Sequence, residues 1–302
     1  MFAGGIFQEA NDPKKPVRVS RQMSIRRQDL SVLLFHLLGY STIRNGILRL
    51  QGKAVSRFVT FHDIPPSFVG RFEANLCFLK EHVNVVSLDD FFQGRLATDN
   101  INVVITFDDG YKSWVTHAAP ILIKLSLPAT FFVASGFVGI SREQAIAFMR
   151  SKLLLMAEHS GTTGGLAQDD LRRLADQGFT IGGHTLNHSN LADLPDRNDL
   201  AYEIAEDKRR LGEITGTAIE YFAYPFGAYQ HRGIDLTEIV RNSGYRGAVT
   251  TVSGFNTANT SPYLLHRELT PASMQEWVFR ARACGNYDAV QFLKRRVSFP
   301  SW

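Results

Sequence analysis

The chain has 302 residues, of which 44% are hydrophobic and 21% are charged, and its formal net charge is +4. This composition excludes a disordered chain, and the length suffices for one large domain with a substantial core or for two smaller ones. The basic residues are not concentrated as nucleic-acid binding requires, and the two distant cysteines, Cys77 and Cys284, form no disulfide framework. A nucleic-acid partner is therefore not expected.

The first 55 residues are predicted to form a separate N-terminal region. Its basic stretch, residues 17–27, is interpreted as a solvated tail, with attraction to anionic lipid or a phosphorylated substrate as the alternative. Residues 30–40 are too few to span a bilayer and predict an amphipathic helix that packs on the domain or contacts a membrane peripherally. Because no signal peptide is recognisable, the expected location is the cytoplasm, with peripheral attachment at the inner membrane as the alternative.

Residues 56–302 are predicted to form a single (β/α) domain. Strands are predicted at "RFVTFHDI", "VNVVSL", "INVVITFDDG", "PATFFVAS", "FTIGGHT", "EYFAYPFG", "YRGAVTTV" and "YLLHRELT". Helical patterns separate most of them, and an insertion at residues 136–165 is expected to form one wall of a substrate groove. Seven or eight such units favour a closed barrel of parallel strands, in which the active residues lie at the C-terminal strand ends.

The third predicted strand ends on two adjacent carboxylates, in "VVITFDDGY". Neighbouring residues of a strand face opposite sides of the sheet. Asp108 and Asp109, placed just past the strand, can therefore converge only where the chain bends, and Gly110 permits a sharp turn. Because Asp-Asp-Gly is also common in surface turns, the motif indicates a site only in combination with other polar groups.

The pattern H-x-x-x-H in "FTIGGHTLNHSNL" supplies such groups at the end of another strand. His184 and His188 would be about 13 Å apart in an extended chain, so they can share one ion only if the chain turns helical after His184. Gly182 and Gly183 are expected to ease the exit from the strand. Two histidines and one carboxylate predict a catalytic divalent-metal site, with zinc as the first choice and nickel, cobalt or manganese as alternatives. The second carboxylate remains free to accept a proton.

These motifs resemble those of the polysaccharide deacetylases, carbohydrate esterase family four. The family pattern T-F-D-D-G, H-[ST]-x-x-H and P-[YF]-G is matched in order by "TFDDG", "HTLNH" and "YFAYPFG". The resemblance covers roughly residues 57–271. It implies an irregular (β/α)7 barrel, here with an N-terminal helical extension, and hydrolysis of an N-acetyl group on an amino sugar. It also implies that Asp108 is the general base and that Asp109, His184 and His188 hold the metal.

The "YFAYPFG" motif is predicted to stabilise the oxyanion that forms when water attacks the acetyl carbonyl. Pro225 has no N–H and ends the strand ladder, which exposes the N–H of Phe226. Tyr224 and Phe226 are also expected to wall the acetyl pocket, with a place in the barrel core as the alternative. Tyr111, which follows the first motif, is assigned to substrate binding.

The chain departs from the commoner family pattern before this proline. Many members have an arginine there that pairs with the base aspartate, whereas this chain has Phe222 and Ala223. Arg267, on the last predicted strand, is expected to supply the missing cation and to keep Asp108 ionised. The alternative is a surface arginine on an edge strand.

Two histidines are candidates for the general acid that protonates the leaving amine. His266 has the position that many family members use, whereas His62 ends the first strand in a run, "FVTFHDI", that resembles the poly-N-acetylglucosamine deacetylase branch. Because neighbours on a strand face opposite sides, His266 points away from the site if Arg267 points into it. His62 is therefore preferred, and Asp63 is expected to orient it or to line the site.

Together these observations predict a metal-dependent N-deacetylase. Its expected substrate is an acetylated amino sugar in a bacterial glycan or in a lipid-linked precursor. One alternative keeps the chemistry and changes the substrate, as in an O-acetyl esterase or an amidase for a non-sugar amide. The other is a non-catalytic glycan-binding protein with a relict site, against which the intact set of metal ligands argues.

Overall fold

The computed structural model describes residues 46–47, 50–153 and 164–285. The basic stretch at residues 17–27 and the amphipathic helix expected at residues 30–40 lie outside these residues and stay predictions. Residues 154–163 of the insertion lie outside them as well. No helix in the described part of the chain has both the length and the apolar character needed to cross a membrane.

All strands of the described residues belong to one parallel sheet. In chain order they are β1 Ser56–Phe61, β2 Asn84–Val85, β3 Asn102–Asp109, β4 Thr130–Val133, β5 Thr180–Gly183, β6 Tyr221–Ala223, β7 Gly247–Val249 and β8 Glu268–Leu269. The spatial order is β7-β6-β5-β4-β3-β1-β8, and β2 pairs with β3 outside this path. Mostly consecutive strands are thus neighbours, as expected for successive βα units.

Helices connect most of these strands. Those of the described residues are α1 Val69–His82, α2 Leu88–Phe92, α3 Ala119–Leu125, α4 Arg142–Ser151, α5 Gln168–Asp176, α6 Arg197–Thr215, α7 Leu236–Asn242 and α8 Glu276–Ala283. The longest, α6, begins after Asp196, whose carboxylate accepts hydrogen bonds from two N–H groups of the first turn. It ends at Gly216, which has a φ of 68°. These local signals fix where α6 begins and ends, and the helix lies beside β5, where it contacts the functional site.

The segment around β8 bridges the two edges of the sheet. Leu265 lies beside Val249 of β7 in a parallel bridge, and three residues further on Glu268 pairs with Val59 of β1. The sheet therefore curls into an irregular barrel, and the predicted fold class is confirmed for the described residues. Arg267 lies on this bridging segment, and its side chain is fully buried.

Strand β3 shows how the sequence divides the core. Its residues Val103, Ile105 and Phe107 pack in the larger apolar cluster, which includes helix residues such as Phe72. Val104 belongs to a second, smaller cluster on the opposite face of the sheet. The series of Val104, Thr106 and Asp108 follows this second face, as strand alternation requires. Polar residues at the end of the series are thereby directed into the barrel.

Candidate active site

A cleft of about 620 Å³ opens at the C-terminal ends of the strands. This is where a barrel of this type places its site. The predicted residues that line the cleft are His62, Asp63, Asp108, Asp109, Tyr111, His184, His188 and Phe226. Arg267 lies behind Asp108, while Tyr224 and His266 do not line the cleft.

The two carboxylates are the last residues of β3, and the expectation that they lie just past the strand is wrong. Both are buried, and Asp108 still pairs with Phe132 of β4 in the parallel ladder. The bend begins one residue earlier than expected, because Asp109 itself has a φ of 92°. A residue other than glycine in this region is strained by about 1–3 kcal/mol, which the surrounding contacts must offset. Strand alternation already directs Asp108 into the cleft, and the bend turns Asp109 into the same cleft.

The two histidines come together through an irregular turn, so the prediction that the chain turns helical after His184 is wrong. Thr185 has a φ of 62° and His188 has a φ of 51°, which are left-handed values. The two imidazole rings nevertheless lie 4.8 Å apart between centroids. Gly183 is expected to ease the exit from the strand, but it lies within β5. Its role is to leave room for Tyr245, because a Cβ there would come within 2.2 Å of the Tyr245 hydroxyl.

The geometry of Asp109, His184 and His188 fits one divalent ion. Nε2 of His184 lies 3.5 Å from Oδ1 of Asp109, and Nε2 of His188 lies 3.2 Å from the same oxygen. A tetrahedral site with bonds of roughly 2 Å separates its ligand atoms by about 3.3 Å. All three ligand atoms lie within 4.8 Å of one another.

The second nitrogen of each imidazole contacts a backbone carbonyl. Nδ1 of His184 lies 2.7 Å from the carbonyl oxygen of Ala223, and Nδ1 of His188 lies 3.0 Å from that of Lys152. Each Nδ1 is therefore the donor in that contact, which leaves each Nε2 as the ring atom that faces Asp109 and can bind an ion. Burial alone would raise the pKa of Asp109, but hydrogen bonding to His184 and His188 holds it well below its usual range. Asp109 is thus available as an anionic ligand.

Asp108 has a different partner, the guanidinium of Arg267. Nη1 and Nη2 of Arg267 donate to Oδ1 and Oδ2 of Asp108, each over 2.7 Å. The arginine is itself held by Thr60, whose Oγ1 accepts over 2.7 Å, and by the carbonyl of Thr250. Burial raises the pKa of Asp108, yet the charged groups nearby, foremost Arg267 and then His184, together outweigh burial and leave that pKa lowered. Asp108 is therefore ionised. Its ion-pair partner is Arg267, whereas Asp109 contacts the two imidazoles.

Of the two candidate acids, only His62 lines the cleft. His62 follows β1 and lines the cleft together with Asp63, whose Oδ1 accepts a hydrogen bond of 2.7 Å from Ser113. Nδ1 of His266 lies 3.2 Å from the carbonyl oxygen of Phe255, outside the cleft lining. Since Arg267 points inward, this is the alternation expected for neighbouring strand residues.

The aromatic residues divide between the cleft and the core. Tyr224 is fully buried in the larger apolar cluster, 5.3 Å from Phe222 between ring centroids, so the prediction that it walls the acetyl pocket is wrong. Phe226 is 45% exposed, has a φ of 57° and lies 4.7 Å from the ring of His188. Burial and the nearby Asp109 raise the pKa of the Tyr111 hydroxyl well above its usual range, so this cleft residue stays protonated.

Comparison with known proteins places this site in a family. The family model for polysaccharide deacetylases matches residues 95–248, about half of the chain, including both motifs that supply Asp109 and the two histidines. The chain belongs to the polysaccharide deacetylase family.

Individual polysaccharide deacetylases and their structures agree with this assignment. YxkH of Bacillus subtilis (strain 168), which is named for the family, is 26% identical over 179 residues, 59% of this chain. The chain spans only 55% of the length of YxkH. IcaB from Ammonifex degensii is 25% identical, with a TM-score of 0.60 over 76% of this chain and 97% of that one. The deacetylase PplD of Streptococcus pyogenes, solved with acetate, shares the fold at 20% identity and a TM-score of 0.60, over 76% of this chain and 99% of that one.

Sequence reasoning missed two acidic residues of this deacetylase domain, Glu203 and Asp207 on α6. Asp207 accepts hydrogen bonds of 2.8 Å from the N–H groups of Ser135 and His184. Burial raises the pKa of Asp207 to about 7, although these hydrogen bonds oppose the shift. The available signal was the spacing of two acids one helical turn apart, on the face that carries the buried Leu200 and Ile204.

Proposed function

We propose that the protein is a metal-dependent hydrolase that removes the acetyl group from an N-acetylated amino sugar. One observation carries this proposal. Two adjacent buried carboxylates in one cleft have different partners, Arg267 for Asp108 and the two imidazoles for Asp109. Such a division suits one carboxylate that accepts a proton and another that binds a cation.

Asp109, His184 and His188 would hold the ion, with zinc as the first choice. When bound, it would supply Lewis-acid chemistry to the acetyl carbonyl and to the attacking water. Asp108 accepts the proton of the attacking water at a carboxylate oxygen. Arg267 keeps Asp108 ionised and fixes its orientation through two hydrogen bonds.

Phe226 and His62 complete the proposed machinery. The N–H of Phe226, in the turn Pro225–Gly227 after β6, donates to the oxyanion as the carbonyl is attacked. His62, on the β1 side of the cleft, donates a proton to the nitrogen of the departing amine. Tyr111 lines the same cleft and contacts the substrate. Asp63 also lines it, and it orients His62 or contacts the substrate.

The proposed substrate is a glycan or a lipid-linked sugar with an N-acetyl group. Family membership supports a saccharide. Phe226 and Leu269, 45% and 42% exposed, line the cleft together with polar groups, an arrangement that suits the apolar face and the hydroxyl groups of a pyranose. A peripheral membrane contact through the N-terminal region would bring the enzyme to a lipid-linked substrate.

The substitution Asp108→Asn tests this proposal. We expect it to lower acetate release from N-acetylglucosamine oligosaccharides by at least about 10²-fold, the lower range for loss of a general base, while one ion per chain stays bound. Asp176→Asn, an exposed carboxylate on α5, is the matched control and should leave turnover unchanged. Normal acetate release by Asp108→Asn would remove the base assignment. Release from O-acetylated sugars alone would replace the N-deacetylase with an esterase.

A further inference from the structure

The turn that carries both imidazoles cannot be stable on its own conformational preferences. Two of its residues, Thr185 and His188, have positive φ values, and neither is a glycine. A β-branched residue such as Thr185 is a clear outlier in this region. Each such residue costs about 1–3 kcal/mol, so contacts from elsewhere must hold the turn in this shape.

Glu203 of α6 supplies three of these contacts. Its side-chain Oε2 accepts a hydrogen bond of 2.9 Å from the N–H of Asn187, and its Oε1 accepts one of 2.8 Å from the side-chain amide of Asn187. Its backbone carbonyl accepts a third, of 2.9 Å, from the N–H of Leu186. The side chain is only 8% exposed, so water does not readily replace it.

Asp207, one helical turn further along α6, fixes the start of the same turn. Its two oxygens accept the N–H groups of His184 and Ser135, at the ends of β5 and β4, each over 2.8 Å. The carboxylate thus joins two neighbouring strand ends directly behind the first imidazole. Neither Glu203 nor Asp207 lines the cleft, so neither contacts the substrate or the ion.

We propose that Glu203 and Asp207 are positioning residues, which hold the strained turn so that both Nε2 atoms face Asp109. This inference rests on the proposed function, because it assigns the two acids to the geometry of the metal centre. Outer contacts of metal ligands commonly change metal affinity by about 10–100-fold when they are removed. The same range is expected here.

The hydrogen-bond pattern allows a test by reversal of polarity. In Glu203→Gln, both hydrogen bonds lose the charge of the carboxylate, and the side-chain amide of Asn187 keeps its partner only by turning its oxygen toward the new N–H group. In Asn187→Asp, two carboxylates face each other and repel. The double variant restores the pair, because the amide at 203 donates to the carboxylate at 187 and still accepts the backbone N–H of residue 187. Glu206→Gln is the matched control, since Glu206 lies on the same helix and pairs with Arg209.

The measurements are the Kd for Zn²⁺, the visible absorption spectrum of the Co²⁺-loaded protein and the thermal midpoint of the metal-free protein. We expect Asn187→Asp to raise Kd by about 10–100-fold and to alter the Co²⁺ spectrum, and Glu203→Gln to change both in the same direction but less. The double variant should recover most of the lost affinity and the original spectrum, and Glu206→Gln should match the wild type. If one single variant fails to fold, the other and the double variant still give the comparison.

The outcomes separate this inference from the proposed function. A wild type that binds no ion, or that binds one and releases no acetate, would overturn the proposed function. A wild type that binds Zn²⁺ and releases acetate, with unchanged Kd and spectrum in both single variants, would overturn the positioning role alone. The positioning role also fails if the single variants lower only the thermal midpoint, or if the double variant binds Zn²⁺ no better than Asn187→Asp does.

Discussion

The pairing of Asp108 with Arg267 determines the pH range in which Asp108 can accept a proton. The lowered pKa of Asp108 means that its carboxylate persists until the pH falls below the usual range for aspartate. Loss of Arg267 removes the strongest of the contributions that lower the pKa of Asp108, so burial has more influence on it. Arg267→Met should therefore move the acidic limb of the kcat/KM profile to higher pH. Arg241→Met, an exposed arginine on α7, is the control.

The lowered pKa of Asp108 also affects the stability of the protein. A carboxyl whose pKa is lowered by folding stabilises the native state above its unfolded pKa, and this contribution is lost as the pH falls through the folded value. The wild type should thus lose stability on acidification more steeply than Arg267→Met. An acidic limb at the same pH in both proteins would contradict the assigned role of Arg267.

The general acid can be identified by substituting each candidate histidine. We expect His62→Ala to lower kcat by about 10²–10⁴-fold, because the leaving amine then lacks a proton donor in the cleft. His266→Ala should change kcat little, since its ring contacts the carbonyl of Phe255 outside the cleft. The measurement is acetate release at saturating substrate, with bound metal determined for both variants. The opposite order of effects would assign the acid to His266.

At the residue scale, sequence identified the groups of the site better than their conformations. Asp108, Asp109 and the two histidines could be found because motif spacing and strand ends are local features. The positive φ of Asp109 could not be predicted, because nothing local favours that strain and the surrounding contacts stabilise it. The prediction for Tyr224 is wrong because side chains alternate along a strand, so a shift of one residue exchanges the two faces. Tyr224, just after β6, lies on the same face as the buried Phe222.

At the scale of elements, the turn at Pro225–Gly227 positions the proposed oxyanion donor. Gly227 has a φ of 70°, and a Cβ there would lie 1.9 Å from Oγ1 of Thr251. Gly216, at the end of α6, has a φ of 68° but nothing within 4 Å of its Cβ position. The two glycines therefore share the same left-handed backbone conformation and differ in the space available for a side chain.

This difference makes the pair of alanine substitutions informative. Gly216→Ala should cost about 1–2 kcal/mol of unfolding free energy, the penalty for a left-handed alanine, and leave kcat/KM unchanged. Gly227→Ala should cost more and also lower kcat, because the turn must move and take the N–H of Phe226 with it. Chemical denaturation and acetate release measure the two effects. Equal kcat values in the two variants would count against an oxyanion role for this turn.

The elements themselves were largely predictable, and their exceptions have a tertiary cause. Alternating apolar runs and helical patterns were sufficient to predict the parallel strands. The turn after His184 was expected to be helical, because a helical turn is the local way to bring two imidazoles together. In the structure, hydrogen bonds to Glu203 and Asp207, on a helix that follows the turn, hold a different conformation.

At the scale of the whole molecule, the curled sheet joins residues that are distant in sequence. Arg267 and Asp108 are 159 positions apart, and the bridging segment beside β1 brings them into contact. In many family members, the arginine that pairs with the base aspartate lies shortly before the proline. In this chain, Arg267 on the bridging segment provides that cation instead. The missing arginine before the proline could suggest from sequence that Arg267 replaces it. Only the register of β8 against β1 shows that the Arg267 side chain points into the barrel.

The most direct test of the account is the position of a bound ion. Crystals grown with Zn²⁺ and measured at the zinc absorption edge should show one strong anomalous peak per chain in the cleft. We expect it at about 2 Å from Oδ1 of Asp109 and from Nε2 of both His184 and His188. The absence of a peak within bonding distance of these three atoms, in protein that releases acetate, would contradict the central claim.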